Sequence, residues 1–338
     1  MKIKNILKGA VFGVFAVSGA AHAEVTLNAL FMAQAAYSED DIRNMTEDFK
    51  SANPGVNVNV ELVPYEALHD KIVLSQSANG YDVVLYDVIW PAEFAQYQLL
   101  ENVTDRVDAD TRKGILDGAW TTVEYDGSLY GMPWIADTKF LFYNKEMLKK
   151  AGFDTPPATW AELESQAKAI KDQGIVDYPL VWSWSQSEAA ICDYTTILSG
   201  MGGQFLDADG KPAFNTGGGL KALEYMVGTI DSGLTNPNSR EYLEEDVRRV
   251  FSSGQAAFAL NWGYMYNLAN DPAESQVAGH VGIAPAPGTA GVSTASAVNG
   301  SMGLGIPTKS EHKEEAWKYI QFLTSQKVQD QYAKLSLP

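Results

Sequence analysis

Cysteine is nearly absent: Cys192 is the only one in 338 residues, so no disulfide can close within the chain. Basic residues are scarce, with 25 Lys and Arg against 42 Asp and Glu and a formal net charge of −17. That balance repels phosphate backbones and anionic membrane surfaces, so neither nucleic acid nor membrane lipid is an expected partner. The histidines are His22, His69, His280 and His312, and no two share a ligand-like spacing, so no metal is expected. H-E-x-x-H, G-x-S-x-G and phosphate-loop patterns are all missing, and no cofactor is implied. One cysteine with scattered histidines makes a poor thiol enzyme. No internal repeat or low-complexity segment is present.

What is there begins with a leader. Lys2, Lys4 and Lys8 form a basic start, residues 10–17 an apolar core, and Ala21-His22-Ala23 a small-x-small cleavage site. The apolar run is too short to span a bilayer. Residues 1–23 therefore read as a cleaved secretory signal peptide, which leaves Glu24 first and the chain three charges more acidic. No cysteine follows the cleavage site, which argues against a lipid anchor and for a periplasmic protein that is not a lipoprotein. The remaining chain is too long for one typical core and is expected to form two lobes.

Its first part alternates strands and helices. Residues 25–31 read as a buried strand, with 32–37, including Gln34 and Tyr37, as the loop at its end. Ser38 caps a helix whose first turn holds Asp40 and Asp41 and whose apolar face is Ile42, Met45 and Phe49. Val56, Val58, Val60 and Leu62 alternate as a second strand, 65–78 reads as a helix, and 83–85 as a strand ending near Asp87. Such alternation implies a parallel sheet with ligands beyond the strands' carboxyl ends, where Asp87 and Trp90 also fall. The alternative for Asp87 is a cap on the helix that starts near Pro91.

The chain is organised around residues 125–163, YDGSLYGMPWIADTKFLFYNKEMLKKAGFDTPPATWAEL. Asp126-Gly127 favours a tight turn, Asn144 caps a helix that Gly152 ends, and Thr159 with Glu162 forms a capping box. Asp137 stands among apolar neighbours, either as a turn residue or as a ligand contact. The order G-x-L-Y-G-x-P, Asp-Thr, a Y-N run and then A-G-F-D-x-P-P-x-T-W-x-E-L resembles the extracellular solute-binding proteins of carbohydrate ABC transporters, the maltose-binding-protein-like group. The likeness extends over YDVVLYDVIWPAEFA and covers nearly all of the mature chain.

This resemblance implies a two-lobed α/β fold of the type II periplasmic kind, each lobe a mainly parallel sheet flanked by helices, with the ligand in the cleft. It implies lobe 1 at 24–134, lobe 2 at 135–278, a return to lobe 1 at 279–325, and 326–338 as a connector toward further lobe 2 helices. In the family the aspartate matching Asp87 commonly bonds sugar hydroxyls. Asn261 and Trp262 match a polar residue and an aromatic that face the cleft, with Tyr264 just after. At Asn299-Gly300-Ser301, relatives often carry glycine then tryptophan; serine at 301 removes one stacking surface and leaves the Gly300 N–H as the contact. The resemblance also implies a monomer that delivers solute to permease subunits in the inner membrane.

Trp182 and Trp184 lie two apart in a polar loop, with Glu188 close behind. On an extended segment they face one side, either as core or as stacking platforms for a pyranose. Gly217 to Ala222 formally matches G-x-G-x-x-A, but no acidic partner follows a second strand, so it reads as a helix start. Residues 280–284 and 301–306 read as strands returning to the first lobe, and 311–325 as an amphipathic helix with Ala316, Ile320 and Leu323 inward.

The candidate loops are rich in carboxylates, amides and aromatics, and only Lys139 adds a cation. Anionic ligands want arginine forks or lysines. A neutral mono- or oligosaccharide or a polyol fits better, and no enzymatic activity is expected. The alternative is a secreted glycoside hydrolase, which would need two carboxylates about 5 to 9 Å apart. A peptide or amino-acid binder is disfavoured by the missing arginine.

Overall fold

The computed structural model describes residues 25–33, 35–76 and 80–332; the leader, Gln34 and the closing L-S-L-P run lie outside them. The chain builds β1 (Val25–Met32), β2 (Val56–Val63), β3 (Val83–Asp87), β4 (Glu124–Tyr125), β5 (Ser128–Leu129) and β6 (Met132–Ile135). It continues with β7 (Phe140–Asn144), β8 (Leu180–Val181), β9 (Phe258–Asn261), β10 (Val281–Thr289), β11 (Ser293–Ser296) and β12 (Met302–Gly305). Two five-stranded sheets result, ordered β2-β1-β3-β12-β6 and β11-β10-β7-β9-β8.

Local chemistry sets most of the helix ends. Ser38 and Asp41 close a capping box on the Glu39–Ala52 helix, and Thr159 with Glu162 closes one on Trp160–Asp172. Each cap contributes about 1 kcal/mol. The Asn144 side chain accepts the N–H groups of Glu146 and Met147, which starts the next helix at the end of β7. Asp126 and Gly127 both take positive φ, the geometry that closes the β4–β5 hairpin.

Each sheet has its own core. Phe31, Trp134, Trp120 and Tyr319 are fully buried around the first, and helix Lys313–Leu323 packs there through Ala316, Ile320 and Leu323. Leu141, Trp160, Leu260 and Phe258 pack one layer of the second sheet, and Phe142, Phe251 and Val281 the other.

Strand direction differs from the sequence expectation. In the first sheet β1 runs parallel to β2 and β3, but β12 is antiparallel to β3 and β6. In the second, only β8–β9 is parallel; β7–β9, β7–β10 and β10–β11 are antiparallel. A second correction follows. Residues 280–284 do not return to the first sheet: β10 pairs with β7 from Val281↔Asn144 to Pro285↔Phe140, and the return is made by β12. An apolar run of that length is strand in either sheet, and only the pairing partner decides which.

Among the described residues the chain therefore crosses between sheets at 136–139 and at 297–301. The two crossings are bonded side by side: the Gly300 N–H donates to the Asp137 carbonyl at 3.1 Å, and the Asp137 N–H to Ser301 Oγ at 3.3 Å.

Candidate functional site

The crossings aim both sheets at one space. Asp87 ends β3 opposite Met302, the first residue of β12, and Asn261 ends β9 opposite Phe140, the first residue of β7. Loops that leave these ends enclose a cavity of about 860 Å³ between the lobes. Met32, Tyr65, Asp87, Ile135 and Met302 line it from the first lobe, and Glu188, Cys192, Glu244 and Trp262 from the second. Asp137, Tyr264 and Gly300 complete the set of sequence-expected residues that reach it.

Under the second-lobe wall lies Lys139, fully buried. Its ammonium donates to Asp193 at 2.6 Å, Ser183 at 3.1 Å and Glu244 at 3.2 Å. The same Glu244 oxygen accepts the Trp262 indole N–H at 3.3 Å, and the ammonium sits 5.1 Å from the Trp262 ring centroid. Burial pulls the lysine pKa down, but Asp193 and Glu244 push it further up, so the ammonium stays protonated. One cation thus ties the first crossing, the loop after β8, the Glu188–Gly200 helix and the Glu244–Ser252 helix to a cleft aromatic. The sequence signal was present, a lysine in an apolar run, but its partners are 44 to 105 positions away.

Carboxylates and aromatics around an apolar interlobe cavity are the chemistry of solute capture, and sequence comparison agrees. The model of the family described as bacterial extracellular solute-binding protein matches residues 34–330. The chain belongs to that family. A binding protein of Brucella abortus is 30% identical over 280 residues, covering 81% of this chain and 66% of its own. The chain spans 62% of a Deinococcus radiodurans relative described as an ABC transporter-binding protein, so it covers just under two thirds of these curated relatives. Among solved structures, a maltose-bound T. maritima protein shares 34% identity at a TM-score of 0.83, over 90% of this chain and 78% of that one. An ABC transporter solute-binding protein of Agrobacterium radiobacter in complex with ribitol shares 28% at 0.82, over 92% and 79%. The two-lobed fold of this solute-binding protein is the fold of those relatives.

Several expected contacts of the solute-binding protein lie elsewhere. Tyr37 is buried in the first core, stacked on Trp134 with centroids 4.8 Å apart, and its hydroxyl donates to Gln329. Trp90 stacks on Tyr65 at 5.8 Å and backs that cleft residue without lining the cleft. Trp182 and Trp184 do face one side, but they stack on each other at 5.6 Å inside the second core, where Thr235 accepts the Trp182 N–H. Asn261 is fully buried; it donates to the Glu244 carbonyl and accepts the Trp262 N–H, so it orients two cleft residues and lines none of the cavity. The Gly300 N–H is taken by Asp137, and a Cβ at 300 would meet the Trp262 ring at 2.2 Å, so glycine there is what lets the indole lie against the crossing.

Burial pushes Asp87 up to about 7; its bond from the Ile89 N–H opposes that shift and the Glu188 charge adds to it. Glu188 is likewise raised, chiefly by burial. The sign follows from linkage: the folded protein holds a proton that the unfolded chain releases above about pH 4, so this contribution to stability falls as pH rises from about 4 to about 7. Asp87→Asn should lack that loss. Its unfolding free energy relative to the parent protein should climb between about pH 4 and about pH 7 and level off above that, at a limiting slope of about 1.4 kcal/mol per pH unit. Parallel pH profiles for the two proteins would contradict the assignment.

Proposed function

We propose that this chain is the solute-capturing component of an ABC importer. It binds a neutral mono- or oligosaccharide or a polyol between its lobes and presents the closed form to permease subunits in the inner membrane. The observation that carries this reading is the cleft itself: about 860 Å³, aromatic at Tyr65, Trp262 and Tyr264, and polar through carboxylates at loop ends from both lobes. Carboxylates accept from vicinal hydroxyls while aromatic faces cover C–H surface. Contacts divided between two lobes favour closure on the ligand. The relatives bound to maltose and ribitol, and a mannitol-binding protein of Pseudomonas aeruginosa at 27% identity over 242 residues, support the ligand class.

In this reading Asp87, Asp137, Glu188 and Glu244 hold hydroxyls, and Trp262 and Tyr264 form the platform. The protein acts as a periplasmic monomer released from its leader at residue 23, with no lipid anchor. Calorimetry against a panel of sugars and polyols should find a ligand, and chromatography should return it unchanged. Product accumulating in proportion to protein would overturn the reading in favour of a glycoside hydrolase.

A further inference from the structure

Six carboxylates line the cleft: Glu66, Asp87, Asp137, Glu188, Glu244 and Glu245. No Lys, Arg or His lines it among the described residues. Most of these acids are already answered. Glu244 meets Lys139 at 3.2 Å and Glu245 meets Arg248 at 3.0 Å. Asp137 accepts the N–H groups of Thr138 and Gly263, and Glu66 is open to solvent.

Asp87 and Glu188 differ. Neither joins an ion pair among the described residues, and Asp87 is only 8% exposed. They approach one cavity from opposite lobes, Asp87 from the end of β3 and Glu188 from the first turn of its helix. Around them stand the Tyr65 hydroxyl, which donates to Asp87 and feels both charges, the Cys192 thiol, which donates to Glu188, and the more distant Glu66, Glu244 and Lys139. Closing the lobes on a solute removes water from this pair. Hydroxyl groups can donate to it but bring no charge, so two buried negative charges must then share a proton or meet a cation. An ammonium does both tasks, with three donors and a compensating charge. No group of three or more metal-ligating side chains is arranged for an ion among the described residues, which favours an organic cation.

We propose that the cleft prefers a solute that carries a protonated amine, an amino sugar or amino-polyol, seated with its ammonium between Asp87 and Glu188. The proposal rests on the sugar or polyol reading for the carbon skeleton and departs from it in one respect, a positive charge in place of a neutral ligand. It also implies discrimination against uronic acids and sugar phosphates, which would meet carboxylates at every turn.

Matched pairs test it by titration near neutral pH: glucosamine with glucose, galactosamine with galactose, and 1-amino-1-deoxysorbitol with sorbitol. The amine of at least one pair should bind about tenfold or more tighter than its hydroxyl parent. N-acetylation of that amine, which removes the charge and keeps the donor, should abolish the gain without any change to the protein. In Glu188→Gln the ratio of amine to parent affinity should shrink to about threefold or less. Parents that bind as tightly as their amines, or an acetylated form that keeps the gain, would overturn the proposal and leave the sugar reading intact. If no member of any pair and no other panel sugar or polyol binds, both readings fail together.

Discussion

Lys139→Met should lower the stability of the second lobe by about 3–5 kcal/mol, the largest stability effect expected from any single change near the cleft. Methionine keeps the volume of the lysine stem and removes only the ammonium. Asp193, fully buried, would then face Ser183 alone, and Glu244 would keep the Trp262 indole without its cation. Most of the loss is the desolvation of an unpaired carboxylate, not the worth of the pair itself, since a well-packed apolar replacement of both partners is often neutral. The double variant Lys139→Met with Asp193→Leu should accordingly recover much of the loss. The two lobes have separate cores, so unfolding need not be two-state; hydrogen exchange over residues 140–290 in denaturant isolates the right transition. A loss below about 1 kcal/mol in the single variant would mean that the network does not hold this wall together.

The second large effect is on binding. Trp262→Ala should weaken sugar or polyol affinity by about 2–4 kcal/mol, as for a central aromatic contact, while Trp160→Ala should leave the affinity of the folded protein nearly unchanged. Both residues are large second-lobe aromatics, which makes the contrast informative. Trp160 is 2% exposed within the core and begins a helix; Trp262 lines the cavity and is held by Gly300, Glu244 and Lys139. Truncating Trp160 should instead cost about 3–5 kcal/mol of stability through the cavity it leaves. Intrinsic fluorescence should report ligand in the Trp160 variant and lose most of its response in the Trp262 variant. Equal affinities for the two variants would remove Trp262 from the site.

Local signals carried a long way in this chain. The Ser38 and Asn144 caps and the Thr159–Glu162 box are settled within a few residues, and each stands in the structure where the sequence placed it. The alternation of strands and helices up to Asp87 requires only periodicity and the rule that ligands meet strands at their carboxyl ends. Asp87, Asp137, Glu188, Trp262 and Tyr264 could therefore be found as cleft residues from loop position and family pattern. What failed were particular choices between two faces or two partners. Period two puts Trp182 and Trp184 on one side but does not say whether that side is core or cleft; the helices stacked on the second sheet decide it. The run at 280–284 is a strand by composition, yet its register against β7 is what assigns it to the second sheet. Lys139 and Glu244, 105 positions apart, become a pair only when β7 and β9 bring the first crossing against the Glu244–Ser252 helix. The sequence by itself determined where elements begin and which loops are polar, because those follow from a few neighbouring residues. Only the tertiary structure decided which carboxylates keep a cation and which share the cleft without one, because Coulomb energy depends on distances in space that chain order does not contain.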